Sequence, residues 1–330
     1  MKQGFKWKKD HWRPFAYGVA VTVGMAGIAV LIGWHVAHTP RNLLRKTLKV
    51  DCRPRWNTAE LLSVKAHKGV TLQTFQMSAA KGIKGQAYLL LPNMKDIKER
   101  VLPAVIVMHG HNMKPEDTFV ANPDSWMRPV ALELAKEGFV VLVPKIPHYN
   151  PDSRLEETLD AMKLLLRGKT MTGERVAAVL RHVDFLTEHP QVDKDRIGIL
   201  GWSMGGGIAQ YAMALDPRLK AAFLSGCFVP LKFLAEDDIL HSPDNYIPSM
   251  IERFGEPAQL APMLAPRPLM AEHGTNDQHE SFDMASSAFD KLHAVYKKKG
   301  APDSAVFLPH KQGHAFYGRK AVWWFKKWFQ

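Results

Sequence analysis

RIGILGWSMGGGIAQYAMAL, residues 196–215, decides how this chain is read. RIGIL is a short apolar run of the kind that forms a strand buried on both faces. IAQYAMAL can begin a helix, and the turn between them holds one serine among four glycines. A serine on so sharp a strand-to-helix turn projects its hydroxyl off the sheet. Side chains two residues to either side would collide across the turn, so Gly201 and Gly205 are needed to clear it. Gly206 and Gly207 are expected to let the helix pack closely on its neighbours. The plainer alternative is a glycine-rich turn whose serine caps a helix. Strand, turn and helix in sequence favour Ser203 as a nucleophile.

A serine hydroxyl needs a base, and the base needs a carboxylate to orient it. On a scaffold of this kind the acid and then the histidine follow the serine, each just past a strand. Asp277 lies beyond the apolar run LMAEHG, and His314 lies beyond AVFLPHKQG. Asp283 is a competitor, but it falls in the first turn of a helix, where an acid suits the dipole. His310 falls at a strand end, while His314 sits in the tight Gly313–Ala315 turn. Oxyanion donors are expected from the backbone N–H of Met204, just after the serine, and of His111 in HGHNMKP. His109 with His111, or His273 with Asp277 and His279, could be taken as metal ligands, but their spacings match no closed zinc pattern. No metal or cofactor is expected.

The rest of the chain fits an α/β domain. LLSVKAH, VTLQTFQM and GQAYLLLP are antiparallel strand candidates. LPAVIVMHG, FVVLVP, RIGILG, LKAAFLSG and RPLMAEHG read as buried strands, and AVFLPH is a further strand that closes the set. Helices are expected over 125–138, 172–190, 281–300 and the C-terminal YGRKAVWWFKKWF. Strands alternating with helices imply a mostly parallel, doubly wound sheet. Two thirds of the formal charge of +12 sits in residues 1–49, which carry nine Lys/Arg and one Asp. A nucleic-acid surface would need its excess on the folded domain, so no nucleic-acid partner is expected. Residues 15–37 (FAYGVAVTVGMAGIAVLIGWHVA) contain no charged side chain. At ~1.5 Å per residue they can cross a bilayer core. The expected organisation is a basic arm (1–14), a single transmembrane anchor (15–37) that a cleaved signal could replace, a tether (38–57) and an α/β domain (58–330) outside the cytoplasm. Cys52 and Cys227 do not settle the compartment.

From about residue 58 onward the chain resembles the α/β-hydrolase fold, specifically the dienelactone hydrolase/acetyl xylan esterase-like group. AVIVMHGH, LAKEGFVVLVP, DRIGILGWSMGG, LAPRPLMAEHGTND and GHAF carry the likeness, in that order. The resemblance implies Ser203 as nucleophile, Asp277 as acid, His314 as base and no cofactor. KIPHYNPDS (145–153) replaces the Asp-x-Arg-Gly-like stretch of many relatives, and serine stands where dienelactone hydrolases proper carry cysteine. Serine favours ordinary ester substrates. The expected activity is therefore a carboxylesterase acting through an acyl-enzyme on small-molecule, carbohydrate or lipid esters. A lipase or peptidase using the same triad is the alternative, and a non-catalytic membrane-anchored binding protein is a third. Segment 228–266 is expected to wall or cover the site, and AVWWFKKWF either packs on the sheet or docks on lipid.

Overall fold

The structure is a computed structural model, and it describes residues 39–51, 55–93, 101–121, 125–228, 230–236 and 241–330. It divides into two units, Met1–Leu44 and Arg45–Gln330. The expected arm (1–14) and anchor (15–37) lie outside the described residues, as does Cys52. Among the described residues no helix is long and apolar enough to cross a membrane.

The expected tether is partly folded. Pro40–Leu48 forms a helix, α1. The Thr47 hydroxyl accepts from Arg253 at 3.0 Å, and the Leu48 carbonyl accepts from Thr170 Oγ1 at 2.5 Å. The first strand already begins at Trp56. Side-chain bonds from residues more than a hundred positions away fix Thr47 and Leu48, a signal that local composition does not carry.

Among the described residues, nine strands form one sheet in the order β1-β2-β3-β5-β4-β6-β7-β8-β9. β1 (Trp56–His67), β2 (Val70–Ala79) and β3 (Lys84–Leu91) run antiparallel, and β3 pairs antiparallel with β5 (Val140–Pro144). From β5 onward every pairing is parallel, through β4 (Leu102–Met108), β6 (Val192–Trp202), β7 (Leu219–Ser225), β8 (Leu269–Gly274) and β9 (Ala305–His310). β4, β5 and β8 are buried from end to end, which is why their sequences are continuous apolar runs rather than alternating ones. The parallel strands all end at one edge of the sheet, and the loops leaving that edge carry His111, Tyr149, Ser203, Cys227, Asp277 and His314.

The helices show where local reading was incomplete. The helix expected over 125–138 starts only at Val130 (α2, Val130–Lys136), because Pro129 lacks a donor and restricts the residue before it. α3 (Arg154–Leu166) was not anticipated; its first turn is capped by Ser153 Oγ, which accepts from the Glu156 N–H. α4 (Met171–Glu188), the helix expected over 172–190, is buried nearly all round, Arg175, Arg181 and His182 included. α5 (Met204–Leu215) follows the serine. Segment 228–266 folds into short helices, α6 (Leu231–Glu236), α7 (Met250–Arg253) and α8 (Ala261–Leu264). α9 (Phe282–Lys298) and α10 (Ala321–Phe329) complete the layers. In α10, Trp324, Phe325 and Phe329 are buried, and the Trp324 indole donates to the β7 carbonyl of Ala222 at 2.9 Å. The aromatic C-terminus therefore packs on the sheet, and only Trp323 and Trp328 of its rings remain exposed.

Candidate active site

Ser203 sits in the turn between β6 and α5 at φ 52°, ψ −119°, a backbone conformation that costs on the order of 1–3 kcal/mol for a residue with a side chain. The surroundings hold it there. Its N–H donates to the Ser225 carbonyl at 2.8 Å, and its own carbonyl accepts from Gly207 N–H at 3.0 Å. A Cβ at Gly201 would lie 2.2 Å from the Gly205 carbonyl oxygen, and one at Gly205 would lie 2.5 Å from the His109 carbonyl oxygen. Both glycines are steric requirements of the turn. Gly206 faces Cys227, whose Sγ would be 2.5 Å from an added Cβ, so the helix closes on the segment after β7 there. Gly207 differs from expectation: nothing lies within 4 Å of its missing Cβ, and it lines a cavity instead of a helix–sheet contact.

Ser203, Asp277 and His314 meet although 111 and 37 positions separate the histidine from its two partners. The Ser203 hydroxyl donates to His314 Nε2 at 2.9 Å, and His314 Nδ1 donates to Asp277 Oδ2 at 2.8 Å. Asp277 Oδ1 accepts the backbone N–H groups of His279 at 2.9 Å and Glu280 at 3.0 Å, so the carboxylate cannot swing away. Burial favours its neutral form, but the bond from His314, the imidazole's charge and these amides together hold it below the usual carboxylate range. Burial also opposes a charge on His314; its hydrogen bond to Asp277 and the charge of that carboxylate outweigh it, and its pKa is raised. This chain of bonds can take a proton from the serine hydroxyl and return it to a leaving group.

The competing residues lie elsewhere. Asp283 is in the first turn of α9. His310 stacks on Tyr317 with ring centroids 5.1 Å apart, and neither ring nitrogen has a hydrogen-bond partner. Met204 is the first residue of α5, where an N–H has no intrahelical acceptor. His111 follows β4, and its ring faces inward: Nε2 lies 2.9 Å from Ser242 Oγ and 3.3 Å from Glu157 Oε1.

Sequence reasoning missed the buried cluster behind this site. Arg175 of α4 is fully buried, and its guanidinium pairs with Glu157 of α3 and, at 3.1 Å, with Asp244 of segment 228–266. It also donates to the Pro147 and His148 carbonyls at 3.2 and 3.1 Å and contacts Met204 Sδ at 3.2 Å. One side chain thus ties three walls of the site to the residue after the serine. Burial alone would raise the pKa of Glu157 and Asp244; Arg175 and His111 nevertheless keep both carboxyls below their ordinary range. His111, Glu157 and Asp244 place three metal-type ligand atoms within 4.8 Å of one another, a set different from those the spacing suggested. Arg175 already supplies the cation that balances the two carboxylates there. An arginine within an amphipathic repeat reads as surface, so no local signal marks it.

Two cavities meet at Ser203. The larger, about 370 Å³, is lined by Trp126, Tyr149, Asn150, Trp202, His279 and His314, among others. The smaller, about 100 Å³, is lined by Met204, Gly207, Ile208, Tyr211, Leu231 and Ile247, among others. His111, His241, Asn245 and Glu280 line both. Segment 228–266 therefore walls the site as expected, and Tyr149 and Asn150 bring the unusual 145–153 stretch into it.

Comparison with known proteins agrees with this architecture. The dienelactone hydrolase family profile matches residues 87–322. YtaP of Bacillus subtilis (strain 168), which carries the name of a hydrolase, is 27% identical over 282 residues, covering 82% of this chain and 92% of YtaP. A Bacteroides fragilis NCTC 9343 protein that carries the name of an acetyl xylan esterase superposes with a TM-score of 0.71 at 18% identity, over 87% of this chain and 86% of that one. A glucuronoyl esterase from Solibacter usitatus gives 0.66 at 15% identity, over 88% and 93%. The chain belongs to the dienelactone hydrolase family of α/β-hydrolases.

Proposed function

We propose that Ser203 attacks the carbonyl of a short-chain ester of a hydroxylated alcohol and is acylated in the process. The observation that carries this reading is the bonded run Ser203–His314–Asp277, open to two cavities of unequal size. His314 accepts the serine proton as the bond to the carbonyl forms, and Asp277 holds the imidazole tautomer and the charge it gains. The developing oxyanion meets the N–H groups of Met204 and His111. His314 then protonates the departing alkoxide, and water repeats the sequence to free the acid.

The cavities suggest which half of the ester goes where. The group that protonates the leaving alcohol must face it, and His314 lines only the larger cavity. Met204 lines only the smaller one, where the carbonyl and its acyl chain would sit. A space of about 100 Å³ suits a small acyl group such as acetyl. The larger space combines indole and phenol rings with Asn112, Asn150 and Ser242, a mixture that suits a polyhydroxylated alcohol better than an alkyl chain. Hydrolysis of p-nitrophenyl esters should therefore fall steeply from acetate to octanoate, and monosaccharide acetates should be cleaved. Activity rising with acyl length would favour the lipase alternative.

The uncharged run 15–37, flanked by basic residues and tryptophans, supports a single-pass membrane anchor, with the basic arm in the cytoplasm and the hydrolase domain (58–330) outside it. Protease added to intact cells should cut the domain; a protected domain would reverse the orientation.

A further inference from the structure

Glu280 is a carboxyl group at the meeting point of both cavities that the mechanism above does not use. It is three residues beyond Asp277, and its backbone is pinned on both sides: the N–H donates to Asp277 Oδ1 at 3.0 Å, and the carbonyl accepts from His273 Nε2 at 3.0 Å. Its side chain lines the larger and the smaller cavity together with Ser203. Oε2 is sealed from solvent and has no hydrogen-bond partner. A carboxylate in such a position loses its hydration and gains nothing, whereas a carboxylic acid needs only one acceptor. The other carboxyl oxygen, Oε1, is not sealed in this way, and an ester bound at Ser203 would bring oxygen atoms to it.

We propose that Glu280 is a neutral carboxylic acid whose O–H donates to a hydroxyl oxygen of the bound alcohol, next to the ester bond, and so selects vicinal hydroxy esters. The inference rests on the hydrolase reading above. The groups around Glu280 favour the neutral form. From β8 and its loop come Asp277, a fixed negative charge, His273, and His279 at the rim; Cys227 comes from the segment after β7. The Cys227 thiol is itself pushed well up by burial, so it stays neutral and adds no charge. His111 and His241 line both cavities, Asp244 of segment 228–266 lines the smaller one, and Glu157, on the α3 wall, lines the larger. The cation of that wall, Arg175, is already bound to Glu157 and Asp244. His314 is the one neighbour whose protonation pulls the other way, and burial outweighs it, raising Glu280 to about 8. The neutral donor is therefore present at neutral pH and lost as pH rises through that value.

The full chain is compared as wild type, Glu280→Gln and Glu280→Leu, using trans-1,2-cyclohexanediol monoacetate and cyclohexyl acetate, which lacks the neighbouring hydroxyl. Gln keeps a donor but cannot ionise; Leu keeps the bulk without the donor. The wild type should prefer the diol ester, and its kcat/KM for that ester should fall as pH rises through about 8. Glu280→Gln should keep the preference and lose the alkaline fall. Glu280→Leu should lose about 10-fold on the diol ester, one hydrogen bond's worth, and little on cyclohexyl acetate. An alkaline fall retained in Glu280→Gln, or equal losses on both esters in Glu280→Leu, would overturn the donor role. An infrared carbonyl band of a protonated acid at pH 7, present in wild type and missing in Glu280→Gln, tests the neutral state without turnover, and its absence overturns the proposal. No hydrolysis of either ester by a wild type showing the band would overturn the hydrolase reading and the donor role with it.

Discussion

Replacing Arg175 by methionine removes the side chain on which three walls of the site converge. Methionine fills similar space but cannot donate, so Glu157 and Asp244 are left in the interior without their cation, and the Pro147 and His148 carbonyls lose a donor. Breaking a buried ion pair from one side costs about 3–5 kcal/mol. At about 2–4 °C per kcal/mol for a domain near this size, the melting temperature should drop by about 6–20 °C at pH 7. The deficit should depend on pH. Both carboxyls titrate below their ordinary values of 4.5 and 3.8 in the intact protein, so the pairing stabilises it fully above those values and is lost as pH falls through the lowered ones. Without Arg175 they titrate higher and become neutral sooner, so the gap between the two proteins should narrow on acidification below about pH 4.5. Lysine should not rescue, because a single ammonium cannot span both carboxylates and two carbonyls as the planar fork does. Thermal melts of the intact chain and Arg175→Met across pH 4–8 measure all of this. A deficit under about 1 kcal/mol at pH 7, or one that does not shrink with acid, would refute the view that this guanidinium holds the walls.

Three further expectations follow from the same geometry. Gly206→Ala should destabilise by about 1–3 kcal/mol because its Cβ meets Cys227, whereas Gly207→Ala meets nothing and should be neutral or stabilising by up to about 1 kcal/mol; denaturant midpoints compare them. kcat/KM should rise with pH through the ionisation of His314, because the base must be neutral to take the serine proton, and the bond to Asp277 places that ionisation above the ordinary 6.5; Asp277→Asn should cut kcat on the order of 10³–10⁴-fold, and a small loss would remove Asp277 from the role. His109 and His182, held neutral by burial down to about 4 and about 3, bind fewer protons folded than unfolded below 6.5, so stability should decline as pH falls from 6.5 towards those values. Denaturation at pH 5 and 7 tests this, and His182→Gln should flatten the slope.

The parts of the fold that were legible in the sequence are those governed by local rules. Buried parallel strands are continuous apolar runs, and the turn at Ser203 needs glycines at two fixed positions, so β4 to β8 and the serine stood out. The order of Asp277 and His314 followed from strand counting. What stayed hidden depends on partners far along the chain. Arg175 and Glu157 lie on helices whose composition reads as solvent-facing, and only their meeting 18 residues apart makes them a buried pair. Thr47 and Leu48 are held by Arg253 and Thr170, and Gly207 looked like its neighbours until the cavity beside it was seen. Glu280 belonged to an unremarked loop until its sealed oxygen faced the site.

The account stands on Ser203 as the atom that is acylated. The most direct measurement is intact mass and peptide mapping after treatment with a fluorophosphonate ester. One adduct per chain, on the peptide containing Ser203 and absent from Ser203→Ala together with esterase activity, is the predicted result. An adduct elsewhere, or hydrolysis that survives the loss of this hydroxyl, would contradict it.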